Sequence, residues 1–367
     1  MNGKVGSTQA SMLVVNTILP TASIVLPTTI GEAARQDSPI AIIFCTLIGL
    51  GVAALIGTII RTNQGAYFID WVRDKCSPLL ATLLGLLMLQ FYLDTTATIL
   101  REFINFINDN VLVNTPVTIL TLFITVISIY MVRQGLEAIA RINSLVLLLY
   151  IIFIPVYILG LSKYMDFHRL LPLFDHSISS LTIASLTPIT WVSEVGILLF
   201  LAPYLQNPDK ARIIGYTGLL VVGLAMLLIM VAALLVYGPK FITANTYPGF
   251  SVIGLIRLGN VIERLDILFI SYWVLSVYLK MSIFLFATVE CFKQTFRVKL
   301  NRPFIGALGL VVALECIFTW QDGDKLATYN KHRFLVFFLF NALIPLVLLI
   351  WDRVQQQLKS KKKGWGT

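Results

Sequence analysis

Three ionisable side chains lie inside stretches of sequence that are otherwise apolar enough for the middle of a bilayer. Glu194 lies in TPITWVSEVGILLFLAP, Asp94 in LQFYLDTTATIL and Lys280 in YWVLSVYLKMSIFLF. A charge at the centre of a membrane helix costs at least about 2.5 kcal/mol, so such residues usually face a cavity or a partner. These residues are therefore candidates for a ligand site.

Prolines flank the acidic residue on both sides. Glu194 lies between Pro188 and Pro203, and the first long apolar stretch similarly contains Pro20 and Pro27. Interrupted helices at corresponding positions of two halves are typical of transporters, where freed N–H groups favour a ligand carboxylate and freed carbonyls favour an ammonium group. Prolines that merely kink these helices are the alternative interpretation.

Each charged residue also has a purely structural interpretation. Glu194 could bind the ligand or take a proton, because burial favours the neutral form of a carboxylate. It could instead form a buried ion pair with Lys280 that touches no ligand. Asp94 could lie near the outer headgroups rather than in a cavity.

The elements that must position these residues are ten apolar segments of about bilayer-spanning length. Only 13% of the 367 residues are charged and 57% are hydrophobic, whereas a soluble domain carries about a quarter charged residues. We predict an all-α integral membrane protein of ten transmembrane helices, because hydrocarbon offers the backbone no other partner. The segments lie at about residues 9–32, 38–60, 78–101, 115–132, 139–161, 181–204, 211–237, 264–290, 304–320 and 332–352.

The distribution of basic residues orients these segments. With the amino terminus inside, 17 of the 28 Lys and Arg residues lie in inner segments and 10 in outer segments, while Lys280 lies within a span. The positive-inside rule then places both termini in the cytoplasm. The net charge of +9 is explained by basic residues near lipid headgroups and requires no nucleic acid.

Ten segments divide into two sets of five, and the second set enters the membrane from the opposite side because five is odd. We therefore predict an inverted repeat with broken helices 1 and 6. The predicted regions are a cytoplasmic N-terminus (1–8), a first five-helix repeat (9–161), a second five-helix repeat (181–354) and a basic cytoplasmic tail (355–367).

No pattern in the sequence predicts a metal, a cofactor or a reaction site. Cys45, Cys76, Cys291 and Cys316 are far apart, and the three histidines form no cluster. No HExxH, GxSxG, P-loop or Rossmann pattern occurs in a suitable context. We expect no enzyme activity, no metal and no cofactor.

Two stretches resemble a known family. NTPVTILTLFITVISIYMVRQGLEAIARIN (114–143) and YPGFSVIGLIRLGNVIERLDILFISYWVLSVYLKMSIFLF (247–286) are similar to the B-subunit family of spore germination receptors, the endospore germination permeases. The TP…GLE…AR and YP…R…ERLD…W…K patterns are specific in combination, and the similarity extends over nearly the whole chain. That family is similar to the amino acid–polyamine–organocation transporters, in which helices 1, 3, 6 and 8 of an inverted repeat enclose the ligand.

The resemblance implies a sensor of nutrients such as L-amino acids in the inner membrane of a dormant bacterial spore. The implied partners are a larger membrane A subunit and a lipoprotein C subunit. Carried onto this chain, the implied ligand region consists of Thr21, Ala22, Ser23, Asp94, Thr98, Trp191, Ser193, Glu194, Ser276 and Lys280.

Three functions remain open at this point. The chain could be a receptor subunit whose conformational populations shift on ligand binding, a proton-coupled amino acid transporter, or a channel that the ligand opens. The ammonium group of Lys280 could occupy the position of Na⁺ in related transporters, which would make ligand binding independent of sodium. Two departures from the superfamily are that LPTAS replaces its small-residue G-x-G pattern, and that helix 5 offers only Arg141 where proton-coupled relatives have a lysine.

Overall fold

The chain forms a bundle of α-helices in a computed structural model that describes residues 3–256, 265–298, 302–319 and 323–364. An isolated parallel bridge between Val5 and Leu205 is the only β pairing in these ranges, so the prediction of an all-α protein is confirmed. The helices are α1 (Ser7–Ala34), α2 (Ser38–Thr62), α3 (Phe68–Lys75), α4 (Pro78–Asn110), α5 (Val117–Gln134), α6 (Leu136–Leu161), α7 (Ile178–Ser193), α8 (Leu198–Leu201), α9 (Ala211–Ala244), α10 (Pro248–Ile253), α11 (Leu265–Phe296), α12 (Arg302–Thr319), α13 (Gly323–His332), α14 (Phe334–Phe338) and α15 (Ile344–Gly364).

Eight helical stretches among the described residues are long and apolar enough to cross a membrane. The first, Ser7–Thr62, contains both α1 and α2, which a short 3-10 turn at Arg35–Asp37 separates. Pro303–Thr319 is a shorter apolar helix. Helices therefore occupy all ten predicted segments, although the number of membrane crossings stays a prediction. Some residues of the predicted segments lie outside the described ranges. They are residue 264 at the start of one predicted span, residue 320 at the end of another, and residues 365–367 at the end of the predicted tail.

Several contacts between helices are consistent with the predicted inverted repeat. The repeat relates α1 to α7, α2 to α9, α4 to α11, α5 to α12 and α6 to α14. Three contacts then have a counterpart in the other half. α1 packs on α9 as α7 packs on α2, α4 packs on α12 as α11 packs on α5, and α1 packs on α6 as α7 packs on α14.

The two predicted helix interruptions differ in form. α7 ends at Ser193, and a 3-10 turn at Glu194–Ile197 precedes α8. α1 instead stays helical through both of its prolines, so the predicted break in helix 1 is not seen in the backbone. Neighbouring side chains support the backbone there, because the Pro20 carbonyl accepts hydrogen bonds from Trp273 Nε1 at 2.8 Å and from Ser23 Oγ at 2.9 Å. Membrane helices tolerate proline where such partners are present.

Both ends of the described chain lie at one end of the bundle, which we name the terminal end. The Val5 amide donates to the Tyr204 carbonyl at 2.8 Å, just after α8. Gln355 of α15 donates to the Lys75 carbonyl at 3.0 Å, at the end of α3. We name the opposite end, where α1, α4 and α9 finish, the far end.

Two glycines of α2 provide a matched test of this packing. A Cβ atom on Gly57 would lie 2.5 Å from Arg212 Cα and 2.6 Å from Arg212 N, which are backbone atoms of α9 that cannot rotate away. A Cβ atom on Gly51 would meet nothing within 4 Å. We expect Gly57→Ala to lower the free energy of unfolding by about 1–3 kcal/mol, because α2 and α9 must separate. Gly51→Ala should preserve or raise stability through helix propensity. Equal unfolding midpoints in detergent for the two variants would contradict the close contact.

Candidate ligand site

A cavity of about 840 Å³ lies among α1, α4, α7 and α11. Its lining begins in the middle of the bundle at Thr21, Glu194 and Lys280, and it extends to Glu32 and Asp109 near the far end. The segment that follows α9 and the short helix α13 complete the wall near that end. A small molecule can therefore reach the middle of the bundle from the far end.

The deepest part of the cavity is a buried ion pair. Lys280 Nζ lies 3.1 Å from Glu194 Oε2 and 3.3 Å from Glu194 Oε1, and the two side chains are 1% and 4% exposed. The same ammonium group donates a hydrogen bond to the Thr21 hydroxyl at 3.0 Å. We name Thr21, Glu194 and Lys280 the floor. A single cation thus connects α1, the turn that follows α7, and α11, which belong to both predicted halves.

Irregular backbone fixes the position of Glu194. This residue begins the 3-10 turn that follows α7, and Gly196 of the same turn packs closely against Asn341. A Cβ atom at Gly196 would lie 2.3 Å from Asn341 Oδ1. Asn341 itself belongs to a π-helical turn, Leu339–Leu343, between α14 and α15. Such local departures from α-helical geometry are frequent at functional sites.

Four of the ten predicted site residues line the cavity, namely Thr21, Trp191, Glu194 and Lys280. Four others are fully buried in helix contacts away from the cavity wall, namely Ala22, Thr98, Ser193 and Ser276. Ser23 lines a separate, mainly apolar pocket beside Tyr150 and Phe269. The wall therefore includes only part of the predicted set.

Asp94, the tenth predicted residue, reaches the cavity only through another side chain. Its Oδ2 atom accepts a hydrogen bond from Tyr329 OH at 2.5 Å and lies 3.4 Å from Arg333 Nη2. Arg333 lines the cavity and also donates to Thr95 Oγ1 at 3.2 Å. Asp94 thus holds the segment between α13 and α14 against α4.

Sequence reasoning does not identify the outer half of α4 as a cavity wall. The predicted span stops at residue 101, where the apolar run ends, whereas α4 continues to Asn110. Glu102 consequently faces the cavity, and its Oε1 atom accepts a hydrogen bond from Asn330 Nδ2 at 2.7 Å. Helical spacing is the signal that could have found this wall, because one face of α4 carries Thr95, Ile99, Glu102 and Phe106.

Polar contacts join the helices at the terminal end, beyond the floor. Glu290 of α11 accepts a hydrogen bond from Tyr204 OH at 2.6 Å and pairs with Lys293 Nζ at 3.1 Å. Lys293 also donates to Tyr67 OH at 3.2 Å, just before α3. Val5 binds the Tyr204 backbone. The N-terminal segment, α3 and the end of α8 therefore close around α11, while the cavity extends to the far end.

The floor has the chemistry to bind a small zwitterion. Glu194 can accept hydrogen bonds from an ammonium group, and Lys280 and Thr21 can donate to a carboxylate. Within the described ranges, no group of three His, Cys, Asp or Glu side chains is arranged to hold a metal ion.

Sequence comparisons point to germination proteins. A family model described as spore germination protein, or spore permease, matches residues 4–323. Spore germination protein KB of Bacillus subtilis (strain 168) is 24% identical over 92% of this chain and 92% of the relative. Spore germination protein XB of Bacillus anthracis is 24% identical over 89% of this chain and 92% of the relative.

Solved structures with a similar fold are transporters. A Na⁺-coupled sialic acid symporter in a substrate-bound outward-open state matches with a TM-score of 0.67 and 13% identity, over 92% of this chain and 79% of that chain. A nucleobase-cation-symport-1 family transporter in a closed conformation matches with a TM-score of 0.59 and 14% identity, over 93% and 78%. The likeness at these identities is one of fold.

Removing one member of the buried ion pair should destabilise the protein more than removing both. Glu194→Gln leaves the Lys280 charge buried without its counter-charge. Lys280→Met likewise leaves the Glu194 carboxylate buried without a counter-charge. Each substitution should lower the free energy of unfolding by about 3–5 kcal/mol. The double variant buries neither charge and should recover most of this loss. Thermal unfolding in detergent measures all four proteins, and a double variant whose loss equals the sum of the single losses would contradict the pairing.

Proposed function

This chain belongs to the family of spore germination proteins, and we propose that it is the nutrient-sensing membrane subunit of a spore germination receptor. Its ligand is an L-amino acid, which binds in the cavity among α1, α4, α7 and α11. Germination relatives that match nearly the whole chain and the transporter fold support a permease-like membrane protein. The identity of the ligand class and the site are inferred from the cavity.

The floor is the observation that supports an amino acid as the ligand. The ammonium group of the ligand binds Glu194, and its carboxylate binds Lys280 and Thr21. The direct ion pair is then replaced by two ion pairs through the ligand, which changes how α7 and α11 are held together. A ligand shifts conformational populations only by its difference in affinity between states. Here that difference comes from the separation of the two charged side chains.

Lys280 also supplies a fixed positive charge between α1 and α11. Its ammonium group lies 3.0 Å from the Thr21 hydroxyl of α1, where it bridges the two helices. A bound cation in a sodium-coupled transporter would serve the same purpose. Amino acid binding to this chain therefore does not require Na⁺.

The receptor role sets the location and the partners. The excess of basic residues in the inner segments places both termini in the cytoplasm, so the cavity opens away from the cytoplasm. The membrane is the inner membrane of a bacterial spore. The A subunit and the lipoprotein C subunit of the receptor detect the altered arrangement of helices in this chain.

A proton-coupled amino acid transporter is the second candidate. The fold likeness to symporters favours it, as does a cavity that opens at the far end while polar contacts join the terminal end. Those two features describe one half of an alternating-access cycle. Uptake of a radiolabelled amino acid into liposomes that contain this chain alone would favour the transporter over the receptor subunit.

Ligand-dependent thermal unfolding tests the site. At a concentration 100-fold above its dissociation constant, an L-amino acid ligand should stabilise the unaltered chain by about 2.7 kcal/mol. The double variant Glu194→Gln/Lys280→Met should gain no such stabilisation, because it lacks both charged groups of the floor. A screen of the standard L-amino acids in detergent without sodium gives the measurement.

The matched control is Glu137→Gln. Glu137 pairs with Arg141 at the surface and does not line the cavity, so this variant should respond to the ligand as the unaltered chain does. A folded double variant with the full ligand response would place the site elsewhere. The absence of any amino acid response in the unaltered chain would overturn the proposed ligand class.

A further inference from the structure

The charges that line the cavity do not balance. Lys280 and Arg333 are the basic side chains in the described part of the wall. Each already has an acidic partner, because Lys280 pairs with Glu194 and Arg333 pairs with Asp94. Besides Glu32, which has an interaction of its own, the wall contains further carboxylates in Glu102 and Asp109. A zwitterion bound at the floor is neutral, and it therefore leaves this negative charge uncompensated.

Glu102 has an oxygen available for a ligand. Asn330 donates to its Oε1 atom at 2.7 Å, and Oε2 makes no hydrogen bond to the described residues. Asp109, nearer the far end, accepts one hydrogen bond from Tyr247 OH at 3.0 Å. Neither carboxylate forms an ion pair within the described ranges. A carboxylate inside a cavity attracts cations more strongly than one in bulk water, since the surrounding protein lowers the local dielectric.

Aromatic rings form the wall next to Glu102. Trp273 lies with its ring centroid 5.7 Å from that of Phe103 and 4.4 Å from that of Phe106. Phe106 in turn contacts Tyr247, with centroids 5.1 Å apart. Trp273 is held in place by the hydrogen bond from its Nε1 atom to the Pro20 carbonyl at 2.8 Å. The faces of such rings attract cations, which is how many proteins recognise ammonium ligands.

We infer that the amino acid carries a second positive charge, as lysine and other basic amino acids do. The α-ammonium and carboxylate groups occupy the floor, while the side-chain cation lies between Glu102 and the rings of Phe103, Phe106 and Trp273. The cavity volume of about 840 Å³ has room for a side chain of this length. This inference rests on the proposed function, because it takes the floor as the binding place of the α-groups.

A comparison of L-lysine with L-norleucine isolates the second charge. Norleucine has the carbon skeleton of lysine without the terminal amine, so any difference in affinity reports on that group. Calorimetric titration of the unaltered chain in detergent should show lysine binding at least about tenfold more tightly, as expected for one desolvated charge pair. L-Glutamate, with an additional negative charge, should bind more weakly than norleucine.

Glu102→Gln tests whether the charge of Glu102 causes the preference for lysine. Glutamine keeps an oxygen for Asn330 but removes the charge, so the ratio of lysine to norleucine affinity should fall below about threefold. Glu137→Gln, the matched control at the surface pair with Arg141, should keep the full ratio. Size-exclusion chromatography verifies that each variant is folded. If Glu102→Gln does not fold, the ratio in the unaltered chain decides.

The outcomes separate this inference from the proposed function. If norleucine binds the unaltered chain as tightly as lysine does, the inference that the ligand carries a second positive charge is overturned. The proposal that an amino acid binds at the floor is then unaffected. A preference for lysine that persists in folded Glu102→Gln would overturn the role of Glu102. If no amino acid binds, the proposed function fails together with this inference.

Discussion

A buried pair of opposite charges constrains the whole arrangement. Separating Glu194 from Lys280 inside the bundle leaves two charges without compensation, and each such charge costs several kcal/mol. The turn that follows α7 carries Glu194 and α11 carries Lys280, so these two elements must stay together unless another molecule supplies equivalent charges. Thr21 brings α1 into the same contact. An amino acid has the ammonium and carboxylate groups that are needed, which is the basis of the proposed function.

The ion pair lies between two ends of the bundle that differ in structure. Near the far end, the segment around Arg333 is held against α4 by Asp94 and Thr95, and the cavity extends past it. At the terminal end, Glu290 and Lys293 connect α11 to the segments that flank α3 and α8. Under the proposed function, ligand contacts at the floor would act on α11 between a cavity on one side and a polar network on the other. The same arrangement suits a sensor that passes a signal along α11 and a transporter that alternates its openings.

Hydropathy and proline spacing predict much of the fold, because spans of apolar residues in a membrane must be helical. The same physical cost predicts that Glu194 and Lys280 have partners, and the structure pairs them with each other. The third intramembrane charge, Asp94, is paired too, but its partner Arg333 lies at the start of the last predicted span, where nothing in the local sequence connects the two. Hydropathy also does not predict that α4 extends beyond residue 101, because the hydropathy falls there while the helix continues.

Backbone detail is the other part that sequence does not supply. Prolines occur in both α1 and α7, yet α1 stays helical whereas the chain changes to a 3-10 turn at Glu194. Tertiary contacts decide between these outcomes. Trp273 and Ser23 bond to the Pro20 carbonyl in α1, and Asn341 packs against Gly196 in the 3-10 turn. The contacts of Trp273 with Pro20 and of Asn341 with Gly196 join residues that are far apart in the chain, so local sequence cannot reveal them.

An experimental structure determined with a bound amino acid tests the central claim most directly. We expect the ligand to lie between Glu194 and Lys280, with its carboxylate within about 3 Å of the Lys280 ammonium group and its ammonium group at a similar distance from Glu194. Ligand density elsewhere, with Glu194 and Lys280 still in direct contact, would contradict the account.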